Sequence, residues 1–183
     1  MHEDAALYTA AYSLLRGGKS PAGAGMPLVR GEAGLDHPGG PQEELDDLAQ
    51  DTEGVWLHNF IWGGINPGGM YDLYWWTRNI RNHDLYYHYK PYRDFMDGIP
   101  LNNGYYQDAE AMVSHPDLRA WGQKDLVHGW AHLWIQNHNH TWKNVVDGVT
   151  IAPVSGMVSI EGLADGRYIM SGGTPIPGSA RTQ

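Results

Sequence analysis

Near Tyr105 the chain changes texture, and no single layer of secondary structure accommodates both parts. Ahead of that point, short and almost uniformly apolar runs alternate with stretches of helical spacing. Beyond it come Leu118 to Gly122, Ala131 to Asn137, Val145 to Ile151, Met157 to Ile160 and Gly166 to Met170, short runs with the period-two patterning of half-buried strands. Helix, strand, helix, strand, helix, then strands alone is the order of an α/β unit followed by an antiparallel β module. The expected fold class is therefore α/β plus all-β, divided into residues 1–103 and 104–183.

Within the first part, Ala5, Leu7, Ala11, Leu14 and Leu15 fall at near-helical spacing from Asp4 to Leu15, and Gly17-Gly18 supplies a stop. Met26 to Glu32 reads as a buried strand with Glu32 at its C-terminal end. A helix follows from about Gln42 to Ile65, interrupted or restarted near Gly54 and ended by Asn66-Pro67-Gly68-Gly69. Met70 to Trp76 has almost no polar alternation, as a parallel strand covered on both faces requires. Asp84 is placed to cap a third helix through Leu85, Tyr89 and Met96, which Pro91 must kink or restart.

Charge and composition narrow the function classes. The chain carries 21 acidic against 12 basic residues, a net charge of -9, which argues against a nucleic-acid partner gripped by basic patches. No apolar run approaches the ~20 residues that span a bilayer, so no membrane partner is expected. Met1-His2-Glu3-Asp4 has neither the basic nor the apolar region of a signal peptide, and the compartment stays open. The absence of cysteine excludes disulfides, thiolate metal sites and cysteine nucleophiles. Eight Trp and 11 Tyr against two Phe make the aromatic surface one with polar handles, suited to stacking a sugar while hydrogen-bonding its hydroxyls.

Three groups of residues are candidates for chemistry. Glu32, ending a central parallel strand, stands where α/β barrels place catalytic groups, although a surface carboxylate or a structural ion pair would look the same. Trp75 and Trp76 end the next strand; alternation sends them to opposite faces, so one of them belongs to the core. A strand from Ala131 to Thr141 would put His132, Trp134, Gln136, His138 and His140 on one face, the rival metal site, but no carboxylate is spaced to complete a ligand set. No metal or other cofactor is expected. His58, in the Trp56 to Trp62 helix beside Asn59, is expected to pack or to make a buried hydrogen bond.

"MPLVRGEAGL" from Met26 to Leu35 resembles the seventh strand of cellulase-like (β/α)8 glycoside hydrolases of the clan that includes family 5, in which an apolar strand ends Gly-Glu and the Glu is the nucleophile. "GVWLHNFIWGGI" resembles the helix after it, "GGMYDLYWW" the eighth strand with its sugar-stacking Trp, and "DLYYHYKPYRDFM" the last barrel helix. "LRAWGQKD" and "HLWIQNHNHTW" are similar to a β-sandwich-like domain attached to some bacterial members. The resemblance implies a parent that hydrolyses β-linked polysaccharide or oligosaccharide with retention, with Glu32 as catalytic nucleophile and Trp75 or Trp76 binding substrate. It also implies a secreted or cell-surface setting for that parent.

The departure from the family is as informative. Such enzymes need a second carboxyl group, which ends strand four, yet a barrel takes about 250 residues and only about 25 precede Met26. The expectation is a C-terminal fragment holding the last two βα units, inactive alone, whose partners are carbohydrate and either the missing barrel strands or a second copy. The alternative class is a noncatalytic carbohydrate-binding or cell-surface module using Trp121, Trp130, Trp134 and Trp142. At the far end, codons that encode Met170 to Gly178 can be chosen so that dropping two bases reads Glu-Trp-Trp-Asp-Thr-Tyr-Thr-Gly, which resembles the closing strand of such β domains. Loss of frame near Tyr168 is therefore expected, and the nucleotide sequence decides it.

Overall fold

The computed structural model describes residues 49–63, 65 and 77–173, together with the strand backbone of 28–29 and 69–70. The helix expected over Asp4 to Leu15 lies outside the described residues. Strand β1 (Leu28–Val29) pairs in parallel with β2 (Gly69–Met70), and between them in the chain lies helix α1 (Val55–Gly63).

Helix α1 starts where the sequence places a restart. Gly54 turns with φ +69, and a Cβ there would come within 2.8 Å of the His88 ring. The Asp51 carboxylate then accepts the Val55 amide at 3.0 Å and the Trp56 amide at 2.9 Å, satisfying donors that have no partner inside the helix. Every residue from Val55 to Gly63 is buried. A helix apolar nearly all round belongs in an interior rather than on a surface, and the polar Asn59 is accommodated by donating its amide to the His140 carbonyl at 3.0 Å.

Helix α2 (Thr77–Asn82), a 3-10 turn (Leu85–His88) and helix α3 (Tyr89–Met96) follow. Here the expected third helix is corrected. Asp84 adopts a left-handed conformation with φ 55 and makes no side-chain cap, so it turns the chain instead of starting the helix. Pro91 occupies the first turn of α3, where its missing N–H costs no helical hydrogen bond, and the helix restarts around it.

Beyond a second 3-10 turn (Leu101–Asn103), strands β3 (Tyr106–Asp108), β4 (Met112–Val113), β5 (Leu118–Asp125) and β6 (Trp130–Asn137) appear. Strands β3, β5 and β6 form an antiparallel sheet in that order, and β4 pairs antiparallel with β7 (Val158–Ser159). Two expected strands are absent. Val145 to Ile151 begins instead inside helix α4 (Trp142–Val146), because the Thr141 hydroxyl accepts the Asn144 amide at 3.1 Å and caps it. Gly166 to Met170 forms no strand, and the Ile169 and Met170 side chains stand fully exposed.

The described residues are thus of mixed α+β character, helices with antiparallel sheets and one parallel strand pair. Their core draws on both sides of residue 103: α1 packs with Ile80, Leu85 and Tyr92, and also with Trp134 and Trp142. Trp62 meets Tyr92 and Phe95 edge-on, each at 5.3 Å between ring centroids. The His58 ring lies 6.4 Å from Trp134, which stacks at 5.1 Å on Trp121.

Candidate functional site

Glu32, Trp75 and Trp76 lie outside the described residues. The nearest described residues that precede them in sequence are the paired backbones of Leu28–Val29 and Gly69–Met70.

The proposed stacking set of Trp121, Trp130, Trp134 and Trp142 is divided by the fold. Trp134 and Trp142 are only 5% and 4% exposed and belong to the core, and Trp121 is half-buried against Trp134. Trp130 is different. It opens β6 and is 49% exposed, alongside Tyr105 at 51%. Both flank the half-exposed imidazole of His128, with ring centroids 5.3 Å from Tyr105 and 6.0 Å from Trp130.

These three rings surround the tip of the β5–β6 hairpin, and one carboxylate organises it. Asp125, the last residue of β5, is sealed from solvent. One oxygen accepts the amides of Val127 and His128, each at 3.0 Å; the other accepts the Asn103 side-chain amide at 2.8 Å. His128 Nδ1 lies 2.8 Å from that second oxygen. An ionised carboxylate only accepts, so Nδ1 carries the proton and donates. Asn103 in turn accepts the Tyr105 amide at 2.8 Å, and Asp125 stands opposite Trp130 in the strand register. A single network therefore fixes the backbone under Tyr105, His128 and Trp130.

Burial opposes the charge on Asp125, but the hydrogen bonds from the His128 side chain and amide and from Asn103, with the attraction of the His128 ring, outweigh it and hold the carboxyl below its ordinary range. The interior histidines behave in the opposite way. Burial, reinforced by the neighbouring charges of His88 and His140, depresses His58 to about 3, and burial alone depresses His132 to about 4. His88 is lowered by burial too, against the raising effect of its contact with the Glu53 carbonyl and the Asp51 carboxylate.

The histidine face expected over Ala131 to Thr141 is corrected, because β6 ends at Asn137 and the chain turns there. His138 donates its amide to the Asp117 carbonyl at 2.7 Å, and His140 donates to the Asn137 carbonyl at 2.9 Å. His132 instead packs against Tyr106 and Phe95. Among the described residues no group of three or more His, Asp or Glu could hold a metal ion, and no helix is long and apolar enough to cross a membrane.

No family model, curated protein or solved structure matches this chain. Its functional reading rests on its own residues. Asp125, His128, Asn103 and Tyr105 were not among the residues the sequence pattern points to. An Asp opening a four-residue hairpin loop closed by Gly129 is nevertheless a turn signal, since an aspartate side chain readily accepts amides two and three residues on.

Proposed function

We propose that the chain is the C-terminal part of a retaining glycoside hydrolase that acts on β-linked polysaccharide or oligosaccharide. The N-terminal part contributes the last two βα units of a (β/α)8 barrel, and the remainder is an attached β-sandwich-like module. The observation that carries the reading is the parallel pairing of Leu28 and Val29 with Gly69 and Met70, with α1 between them in the chain, in a sequence where Gly31-Glu32 follows the apolar run from Met26. Parallel neighbours joined through a helix are what consecutive βα units require.

In this reading Glu32 attacks the anomeric carbon while an acid from strand four, about 5 Å away, protonates the departing glycosidic oxygen. A glycosyl ester on Glu32 forms, and water activated by the strand-four group then releases the sugar with its configuration retained. Trp75 or Trp76 supports the sugar ring from below. The chain alone lacks the acid, so it has no turnover. Hydrolysis of aryl β-glycosides tests this: a parent extended through the upstream coding sequence turns over, its Glu32→Gln variant does not, and turnover that survives Glu32→Gln rejects the reading.

A further inference from the structure

We propose that the tip of the β5–β6 hairpin is a separate binding site for a single, soluble, neutral polysaccharide chain, with Trp130 and Tyr105 as the stacking rings and His128 between them. The site makes no use of Glu32 and stands whether or not the chain belongs to a glycosidase.

Two costs converge at this tip. Exposed aromatic rings leave apolar area in water, and a carboxylate sealed away from solvent loses hydration. Both occur within one hydrogen-bonded network, in which Asp125 and Asn103 fix the segments that present the rings. A binding site held rigid before its ligand arrives has this construction, because groups already ordered lose little entropy on binding. A hairpin needed only as a turn requires neither the exposed Trp nor the exposed Tyr.

The chemistry of the rings selects the ligand. Tyr, Trp and His each offer a flat apolar face and a polar edge, as the faces and hydroxyls of pyranose sugars require. The charges do not favour an anion. Asp125 is already committed to four donors, and Lys124, beside it in β5, is buried, donating to the Glu161 carbonyl at 3.1 Å with the Glu110 carboxylate 3.8 Å away. The rings are also not coplanar. His128 is inclined by 66° to Tyr105 and by 42° to Trp130, a path that follows one twisted chain and does not match a flat crystalline surface.

Native affinity electrophoresis of the full chain through gels containing mixed-linkage β-glucan, xylan or galactomannan tests the site. Retardation by at least one of these is expected. Trp130→Ala and Tyr105→Ala should each weaken it about tenfold, roughly the loss of one stacked ring with its buried area, while Met157→Ala, at an exposed side chain that belongs neither to the hairpin tip nor to the proposed active site, leaves it unchanged. As a check that needs no variant, the retarding polysaccharide should protect tryptophan fluorescence of the unmodified chain from iodide quenching. No retardation in any of the three gels overturns the proposal. So does retardation that both aromatic variants leave intact, retardation lost in Met157→Ala, absence of fluorescence protection, or binding confined to microcrystalline cellulose.

Discussion

The Asp125 carboxylate lies 2.8 Å from the His128 ring, sealed from solvent on its own side while the imidazole stands half in water. The pair joins a buried anion to an exposed aromatic surface across the width of one hairpin turn. Removing the anion should therefore loosen the surface. Asp125→Ala leaves the Val127 and His128 amides and the Asn103 side chain without their acceptor, and it should lower the melting temperature. Asp125→Asn keeps one acceptor oxygen and should fall between the two. Thermal unfolding followed by circular dichroism checks the order; an alanine variant as stable as the parent would mean that the network holds nothing.

Gly122 is demanded by a close approach of backbone to backbone. A Cβ there would lie 1.9 Å from the His132 carbonyl oxygen, and neither strand can yield without breaking the β5–β6 pairing. Gly122→Ala should destabilise the chain by about 2 kcal/mol or more, in the range of substitutions that force strain on a packed backbone. Denaturant titration gives the number, and a loss within about 0.5 kcal/mol would contradict the register described here.

Trp130 and Trp134 lie on the same side of β6 by alternation, yet they should respond to truncation in opposite ways. Trp134→Ala opens a cavity between α1 and the sheet and should cost roughly 3–5 kcal/mol. Trp130→Ala removes a half-exposed ring at the hairpin tip and should change stability by no more than about 1 kcal/mol. Urea unfolding of both variants measures the contrast, and equal losses would count against the assigned burial.

That contrast also marks how far the sequence was legible. Period two located β5 and β6, and Gly54 marked the restart of α1, because local patterning decides those elements. It could not distinguish Trp130 from Trp134, since their burial depends on whether the helical layer reaches them. Trp134 meets His58 of α1, whereas Trp130 has run out to the hairpin tip. Val145 and Val146 looked like a strand through their β-branching, and the Thr141 cap overrode that preference. The hairpin-tip site was hidden for a related reason: Asn103 and Asp125 meet only after β3 has paired with β5.

Stability should fall with acid. His58 and His132 have folded values of about 3 and about 4, below the ordinary 6.5, so the unfolded chain binds protons that the folded chain refuses. Their contribution is intact above pH 6.5 and is lost as pH falls from there toward about 4, where His132 levels off before His58. Each histidine accounts for about 1.4 kcal/mol per pH unit inside that interval. Asp51, raised chiefly by burial, acts in the opposite direction just above its ordinary 3.8. Urea unfolding between pH 7.5 and pH 4.5 (chosen to bracket about 6.5) should show the loss, with His132→Phe flattening part of the slope. A pH-independent midpoint would mean that these rings are solvated.

The most direct measurement on the proposed chemistry is covalent trapping of Glu32. The parent, extended through its upstream coding sequence, is incubated with a 2-deoxy-2-fluoro β-glycoside bearing a good leaving group, which slows release of the glycosyl ester. Peptide mass spectrometry should then find one fluoroglycosyl group, attached to the peptide carrying Glu32 and absent from the Glu32→Gln variant. A label on any other carboxylate, or an active parent whose Glu32 is never labelled while turnover persists in Glu32→Gln, would contradict the account.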